Sequence, residues 1–544
     1  MIEFIEWGDY FMKKVSLLVW MASLSLLLFA CGGNDGGSEE TTGNEGENGS
    51  QTGEEASTSS DEEIVIAVAQ NFISMDPQNT GDGNSRTAQH SMFEGLLGFN
   101  KESEIVPVLA EDYEVSEDGL EYTFYLREGV VFHDGSAFNA EVVKANIDRM
   151  ANQDNGIRTN RNFQFVEETV VDDEYTVRVI LEKPYSSMLD KFASTHMISP
   201  ESLELSDEEI AQNPVGTGPF KFVSWDQGSS LFVEAFDEYW EEGLPKIGGI
   251  EYRPTPENGT RLALLQTGEA AFIFPYPEQN LAEAENSDDF SVEITPATVQ
   301  NYITMNTLKE PFNDERVRQA INYAIDQEAF INVVKSGLGE PLDSPVTRQT
   351  AHYESQGGYE YDPEKAKELL EEAGYSDGFS TTIWGNTTSD NSRGMQFIQQ
   401  QLSEVGIQVE VQSMEEGTLS DAIYGVENPE NAEVEMWYVS WSASPNDTDH
   451  ALRPLFSSEQ FPPTGANSAY YDNADVNDWI ATAMHSGDES EQAELYSNIQ
   501  AQIVADAPWI FLAEGAITAG KRSNVEGIYN LPSGTIIVRE AEVN

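Results

Sequence analysis

Positive charge and cysteine are what this 544-residue chain has least of. Only 28 lysines and arginines stand against 96 aspartates and glutamates, and Cys31 is the one cysteine. The net charge of −68 repels phosphate backbones and anionic headgroups, which excludes nucleic-acid binding and electrostatic adsorption to membranes. A single thiol excludes an intramolecular disulfide framework. Catalytic signatures are missing too. No two of the six histidines, His90, His133, His196, His352, His450 and His485, sit at the i, i+4 spacing of a zinc-protease helix. There is no G-x-S-x-G elbow and no G-x-x-x-x-G-K-S/T loop, and Gly216-Thr217-Gly218 is a lone G-x-G with Lys221 at the third dinucleotide position. With 96 acids, carboxylate pairs arise by chance and carry no glycosidase signal. The expectation is therefore a protein that is not an enzyme and needs neither metal nor cofactor.

What is present begins with a targeting pattern. Lys13 and Lys14 precede an apolar stretch, Val15 to Ala30, too short for a comfortable membrane span and shaped like a secretory signal. It ends in Leu28-Phe29-Ala30-Cys31-Gly32, which resembles a bacterial lipoprotein lipobox with Cys31 as the acylated residue, although Phe29 departs from the usual small residue. Met12, directly before the two lysines, reads as the start. Residues 32–63 are acids among Gly, Ser, Thr and Asn without any aromatic or basic residue, a composition that cannot bury enough apolar area to fold and reads as a tether. Residues 1–63 hold two basic and 13 acidic side chains, so −57 of the charge remains on the part that folds. That part is 39% hydrophobic and 10% aromatic when counted over the whole chain, enough for real cores under a hydrated acidic surface.

Short strands and helices alternate from Ile64 onward. Ile64-Val65-Ile66-Ala67-Val68-Ala69 and Tyr122-Thr123-Phe124-Tyr125-Leu126 have strand character. Asn139 is an N-cap for a helix carrying Val142, Val143, Ile147 and Met150, and Asn313-Asp314 opens another through Val317, Ala320, Ile321 and Ala324. Asp362 and Pro363 start a third that Gly374 stops. Phe397 to Val405 reads as helix, followed by an alternating strand at Ile407, Val409 and Val411. The class is α/β with mixed sheets.

Several stretches together carry a resemblance: Met92-Phe93-Glu94-Gly95-Leu96-Leu97, the run from Tyr122 through Phe132-His133-Asp134-Gly135, Asn213-Pro214-Val215-Gly216-Thr217-Gly218-Pro219-Phe220, Arg261 to Glu269, and Arg316 to Asp326. The chain is identified by them as a member of the extracellular solute-binding proteins of family 5, the peptide and nickel receptors of ABC importers. Arg253 to Asn258, Phe272 to Pro277, Gly378 to Trp384 and Trp441-Ser442-Ala443-Ser444 with Leu452 to Phe456 are similar to its glutathione-binding branch.

The resemblance implies a two-lobed periplasmic-binding-protein-like fold of class II type. The first lobe would be 64–98, 214–298 and 513–544, an inserted subdomain 99–213, and the second lobe 299–512. A small glutathione-like peptide would lie between the lobes of a monomer, held outside the cytoplasmic membrane by a lipid on Cys31, and pass to the permease subunits. In the family's dipeptide and oligopeptide receptors an Asp three residues after the cleft Trp pairs with the ligand ammonium. Here Trp441 is followed at that distance by Ser444, so an atypical peptide such as a γ-glutamyl one fits better, with Asp447 and Asp449 close enough in sequence to take the ammonium. Phe274, Tyr276, Trp384, Tyr438 and Trp441 are expected cleft walls. Because glutathione is a net anion, its carboxylates need cations, and Arg158, Arg161 and Arg453 are the candidates. A general peptide receptor and a nickel-chelate receptor, the latter through His450, are the alternatives.

Overall fold

A computed structural model describes residues 62–80 and 82–544. The secretory and lipidation readings at Lys13, Lys14 and Cys31, and almost all of the 32–63 tether, lie outside the described residues.

The largest sheet of the described residues has eleven strands: β1 (Glu63–Val68), β2 (Phe220–Asp226), β3 (Ser230–Ala235), β4 (Gly249–Pro254), β5 (Phe272–Phe274), β6 (Phe290–Met305), β7 (Glu340–Pro341), β8 (Phe379–Asn386), β9 (Ile407–Met414), β10 (Met436–Ser442) and β11 (Trp509–Arg522). Their order is β9-β8-β10-β6-β11-β5-β1-β4-β3-β2, with β7 on β11. β1 runs parallel to β4 and β5, and β8 runs parallel to β9 and β10. The long strands β6 and β11 pair antiparallel and belong to both ends of the sheet.

Each end has its own core. Around β1, β3 and β4 it contains Ile66, Met92, Phe220, Leu231 and Tyr252. Around β8 to β10 it contains Ile303, Met305, Ile321, Leu370, Ile383 and Ile398. Between the two, the β6–β11 ladder loses register: Pro296 opposes Ala516 but Gln300 opposes Glu514, so Ala297 to Val299 bulge. A bulge weakens the ladder between the two cores of this mixed α/β fold. A separate four-stranded sheet, in the order Ala110–Val115, Glu121–Leu126, Thr176–Leu181, Val166–Asp173, carries a third core of Phe124, Phe132, Val143, Ile147 and Phe192.

The helices that position the site are α1 (Gly83–Met92), α2 (Met188–Ser194), α3 (Gln327–Val334), α4 (Ser389–Ser403) and α5 (Thr448–Phe456). The expected caps at Asn139, Asp314 and Asp362 all accept from the first turn of their helices. The helix expected from Phe397 starts eight residues earlier, at Ser389, with Thr388 as its cap. Its first turn, Ser389-Asp390-Asn391-Ser392, has no apolar residue and so no periodicity to betray it.

Candidate functional site

Parallel strands present ligands at their carboxyl ends, and the neighbouring parallel strands β8 and β10 end at Asn386 and Ser442. Alternation along β10 decides what each residue meets. Tyr438 packs into the core with Ile303, Ile398 and Phe330. Val439 and Trp441 turn to the other face, against Leu452 and Ala443. Trp384 is buried in a small cluster with Leu419, Trp437 and Tyr470, and Phe274 is half-buried against the first-lobe core. Tyr276 is buried, its hydroxyl donating to Asn280 O at 3.0 Å. The expected aromatic walls thus fall into different places and do not form one surface.

On the Trp441 face the second lobe meets α2. Trp441 Nε1 donates to His450 O (3.2 Å), and its ring lies 5.2 Å from the His450 ring. Ser444 Oγ donates to Asp190. Asp447 caps α5 through His450 N–H (3.0 Å) and accepts from Ser187 Oγ (2.6 Å) and from Lys191. Asp449 holds Arg453 through both carboxylate oxygens, at 2.9 and 3.0 Å. All three aspartates and Lys191 are buried. Burial alone would raise Asp447, but the Lys191 ammonium beside it brings the carboxyl down to about 2. Asp190, buried and facing the Asp447 charge, is pushed up to about 6 against the pull of Lys191. Burial also raises Asp449, with Arg453 opposing. Asp447, Asp449 and Arg453 therefore already have partners of opposite charge.

Arg158 and Arg161 are placed differently. They lie within a short helical turn, Arg158–Asn162, and Arg86 of α1 is near Arg158. The three side chains are exposed, and among the described residues none makes an ion pair or a side-chain hydrogen bond. Burial lowers Arg86 and Arg161 and the Arg158 charge adds to both shifts, while the Asp82 carboxylate opposes the shift of Arg86. Arg86 also lowers His90 and His196, whose rings touch edge-on at 4.5 Å, and Arg161 acts on His450. Burial is the larger cause for each histidine and holds His90 and His450 at about 4, so both are neutral at pH 7. Among the described residues no group of three or more His, Cys, Asp or Glu is placed to hold a metal ion.

On the opposite face of β10 lies a cavity of about 390 Å³, lined by Tyr438 and Ser440, by Thr388 to Asn391 of the α4 start, by Lys335, by Glu278, and by the β6 and β11 backbone around the bulge. Arg393 adjoins it, bonded to Asp390 (2.7 Å) and Val334 O (3.2 Å). Of the residues expected from the sequence, only Tyr438 lines this cavity. Arg86, Lys335, Glu278, Asp390 and Arg393 went unnoticed in the sequence. With 28 bases among 96 acids, a census of which cations can lack a nearby acid is the signal that would have found the basic ones.

The residue pattern of the bacterial extracellular solute-binding proteins, family 5, matches residues 104–463. The chain belongs to that family. Its relatives include the glutathione-binding protein GsiB of Pectobacterium atrosepticum, 40% identical over 484 residues that cover 88% of this chain and 94% of the relative. GsiB of Salmonella typhi is 40% identical over 473 residues, 86% and 92% of the two chains. Among solved structures, HbpA2 from Haemophilus parasuis aligns with a TM-score of 0.79 at 27% identity, covering 89% of this chain and all of that one. A Pseudoalteromonas dipeptide-binding protein in complex with Met-Leu aligns at 0.75 and 26%, with 89% and 100% coverage. The fold is that of the two-lobed periplasmic peptide-binding proteins, and the family consists of extracytoplasmic receptors that bind without turning over their ligand.

Proposed function

We propose that this chain is the receptor of an ABC importer for glutathione or a closely related short peptide, tethered outside the cytoplasmic membrane by a lipid on Cys31 and acting as a monomer. Closure of lobes 64–98, 214–298 and 513–544 with the 99–213 subdomain against 299–512 encloses the ligand and forms the shape the permease recognises. Trp441 and Ser444 mark the second-lobe wall, and Arg158 and Arg161 receive ligand carboxylates. An ammonium contact at Asp447 or Asp449 requires trading the Lys191 or Arg453 pairing for it. Phe274, Trp384, Tyr438 and Arg453 contribute by shaping the walls around those contacts.

One observation carries this reading. In a chain with more than three acids per base, Arg86, Arg158 and Arg161 stand together with no ion pair among the described residues, and the Asp82 carboxylate acts on Arg86 only at longer range. Holding like charges together costs free energy that an anionic ligand offsets. The relatives named for glutathione binding support the choice of anion. Calorimetry on the exported form tests it: reduced glutathione is expected to saturate one site, with alanyl-alanine far weaker. Saturation by ordinary dipeptides with no heat from glutathione transfers the protein to the general peptide receptors.

A further inference from the structure

The β6–β11 ladder resumes after its bulge with Gln300 opposite Glu514. Residues directly opposite in antiparallel strands share a face with their Cβ atoms about 5 Å apart, and Trp441 of β10, across from Gln300, marks that face as its own. Both side chains are enclosed there. Glu514 is 5% exposed and Gln300 2%. The cover is the segment that begins at β7, where Glu340 pairs with Glu514 and Pro341 with Ala513. Gly339 lets it approach: its φ is 111°, and a Cβ there would lie 2.1 Å from Glu514 O. α3 also packs on this stretch, Gln327 donating to Phe511 O (2.9 Å) and to Leu342 O (3.0 Å).

The two facing side chains differ in how they are satisfied. Both Glu514 oxygens accept from one residue of the cover, Oε2 from the Arg348 N–H (3.0 Å) and Oε1 from the Arg348 guanidinium. Arg348 has other attachments as well. It donates to Pro341 O (3.1 Å) and lies 3.4 Å from Asp343, which accepts from the Tyr353 and Ser355 hydroxyls. Gln300 Oε1, by contrast, is buried and accepts no hydrogen bond. A buried acceptor without a donor costs free energy, and the carboxyl across the ladder carries a donor only when it is protonated. Burial is the largest influence on that carboxyl and pushes it up to about 7, with Arg348 opposing and Asp343 and Glu340 adding to the rise.

We propose that Glu514, Arg348 and Gln300 form a protonation-controlled clasp at the crossing between the lobes. Ionised, Glu514 ties the 340–348 segment of the second lobe to β11 through Arg348. Protonated, it donates its O–H to Gln300 Oε1, releases the guanidinium and leaves the Arg348 N–H a neutral acceptor, weaker than the charged one. The clasp rests on the lobe division proposed above, whose crossings at 298/299 and 512/513 fall beside Gln300 and Glu514. The lobes are closed in the arrangement described, since Ser187 and Asp190 of the subdomain bond Asp447 and Ser444 of the second lobe. Ionised Glu514 therefore favours closure, and acid loosens it. A receptor outside the cytoplasm meets the pH of the medium directly, so the clasp makes its hold on a ligand depend on that pH.

Hydrogen exchange on the ligand-free receptor, with rates corrected for the intrinsic effect of pH, reads the clasp directly. In wild type, protection of residues 340–350 should be about fivefold lower at pH 5.5 than at pH 8, while residues 121–126 of the subdomain sheet stay constant. Glu514→Gln is neutral and can still donate to Gln300, so it should show the lower protection at both pH values. Gln300→Leu removes the acceptor that the protonated form uses, and the midpoint of the transition should fall by about half to one pH unit. Constant protection in wild type, or an unmoved midpoint in Gln300→Leu, overturns the proposal. Glutathione then reports closure: Glu514→Gln should bind it about fivefold more weakly than wild type at pH 8 and equally at pH 5.5. Equal affinities at pH 8 overturn the proposal as well. If wild type binds no glutathione, the receptor reading fails, and the exchange experiment still decides the clasp because it needs no ligand.

Discussion

Two charged clusters flank the loop after β10, and they treat their cations in opposite ways. In the first, Lys191 and Arg453 are enclosed by Asp190, Asp447 and Asp449, with Ser187 and Ser444 donating to the remaining oxygens. In the second, Arg86, Arg158 and Arg161 are exposed and make no ion pair among the described residues, with one another, neutral histidines and the Asp82 carboxylate nearby. Buried ions need satisfied partners to exist at all, whereas exposed ions can be held in reserve for a ligand. The difference separates charges that hold the α2 segment against the loop after β10 from charges left open to solvent, to which the proposed ligand contacts are assigned. Arg453 and Arg161 look alike as lone arginines in an acidic sequence, and only their surroundings tell them apart.

Removing a charge from the enclosed cluster is expected to have the largest effect. Lys191→Met leaves Asp447 and Asp190 buried against each other, and the unfolding free energy in urea should fall by about 3–5 kcal/mol. Substituting Asp447→Leu in the same chain removes the orphaned carboxylate and should recover part of the loss. If Lys191→Met costs less than about 1 kcal/mol, the contact behaves as a surface pair and the contrast between the clusters disappears.

The open cluster should respond in the reverse sense. Arg158→Gln and Arg161→Gln relieve like-charge repulsion, so stability should stay within about 0.5 kcal/mol of wild type. Glutathione affinity should fall about tenfold for each, roughly the worth of one charge-assisted contact. Calorimetry and urea melts on the same samples separate the two. A variant that loses stability but keeps affinity would move its arginine into the structural class.

This contrast also measures how far the sequence could be read. Caps at Asn139, Asp314 and Asp362 and the apolar spacing behind them are local, so the elements they begin were legible. The family stretches fixed the two-lobed fold for the same reason: each is a continuous run. The sites depend on distance. Arg86 lies 72 residues before Arg158 in sequence, and the β10 alternation that sends Tyr438 and Trp441 to opposite faces matters only once helices cover both. Gly216 and Gly218 looked like a fragment of a dinucleotide motif. They are small because α1 ends against them, where a Cβ on Gly216 would lie 2.1 Å from Met92 O. No local pattern marks that contact, because its partner is more than a hundred residues away.

The smallest expected effect is a dependence on pH inside the enclosed cluster, where two carboxylates share one lysine and slope in opposite directions. Asp447, held down to about 2 once Lys191 overcomes its burial, contributes stability that is present above an ordinary aspartate pKa near 3.8 and is lost as pH falls towards 2. Asp190 is the reverse case. Burial and Asp447 push it up to about 6, so between about 4 and 6 the folded protein keeps a proton that the unfolded chain has released, and stability declines as pH rises through that window. Asp190→Asn keeps an acceptor for Ser444 and removes the ionised form. The variant should exceed wild type by about 1 kcal/mol at pH 8, and the difference should vanish as pH approaches 4. Other raised carboxyls, Glu514 at about 7 among them, appear equally in both proteins and cancel in the difference. A gap that is constant from pH 4 to 8 would mean that Asp190 does not titrate in this range, and that Lys191 balances both aspartates at once.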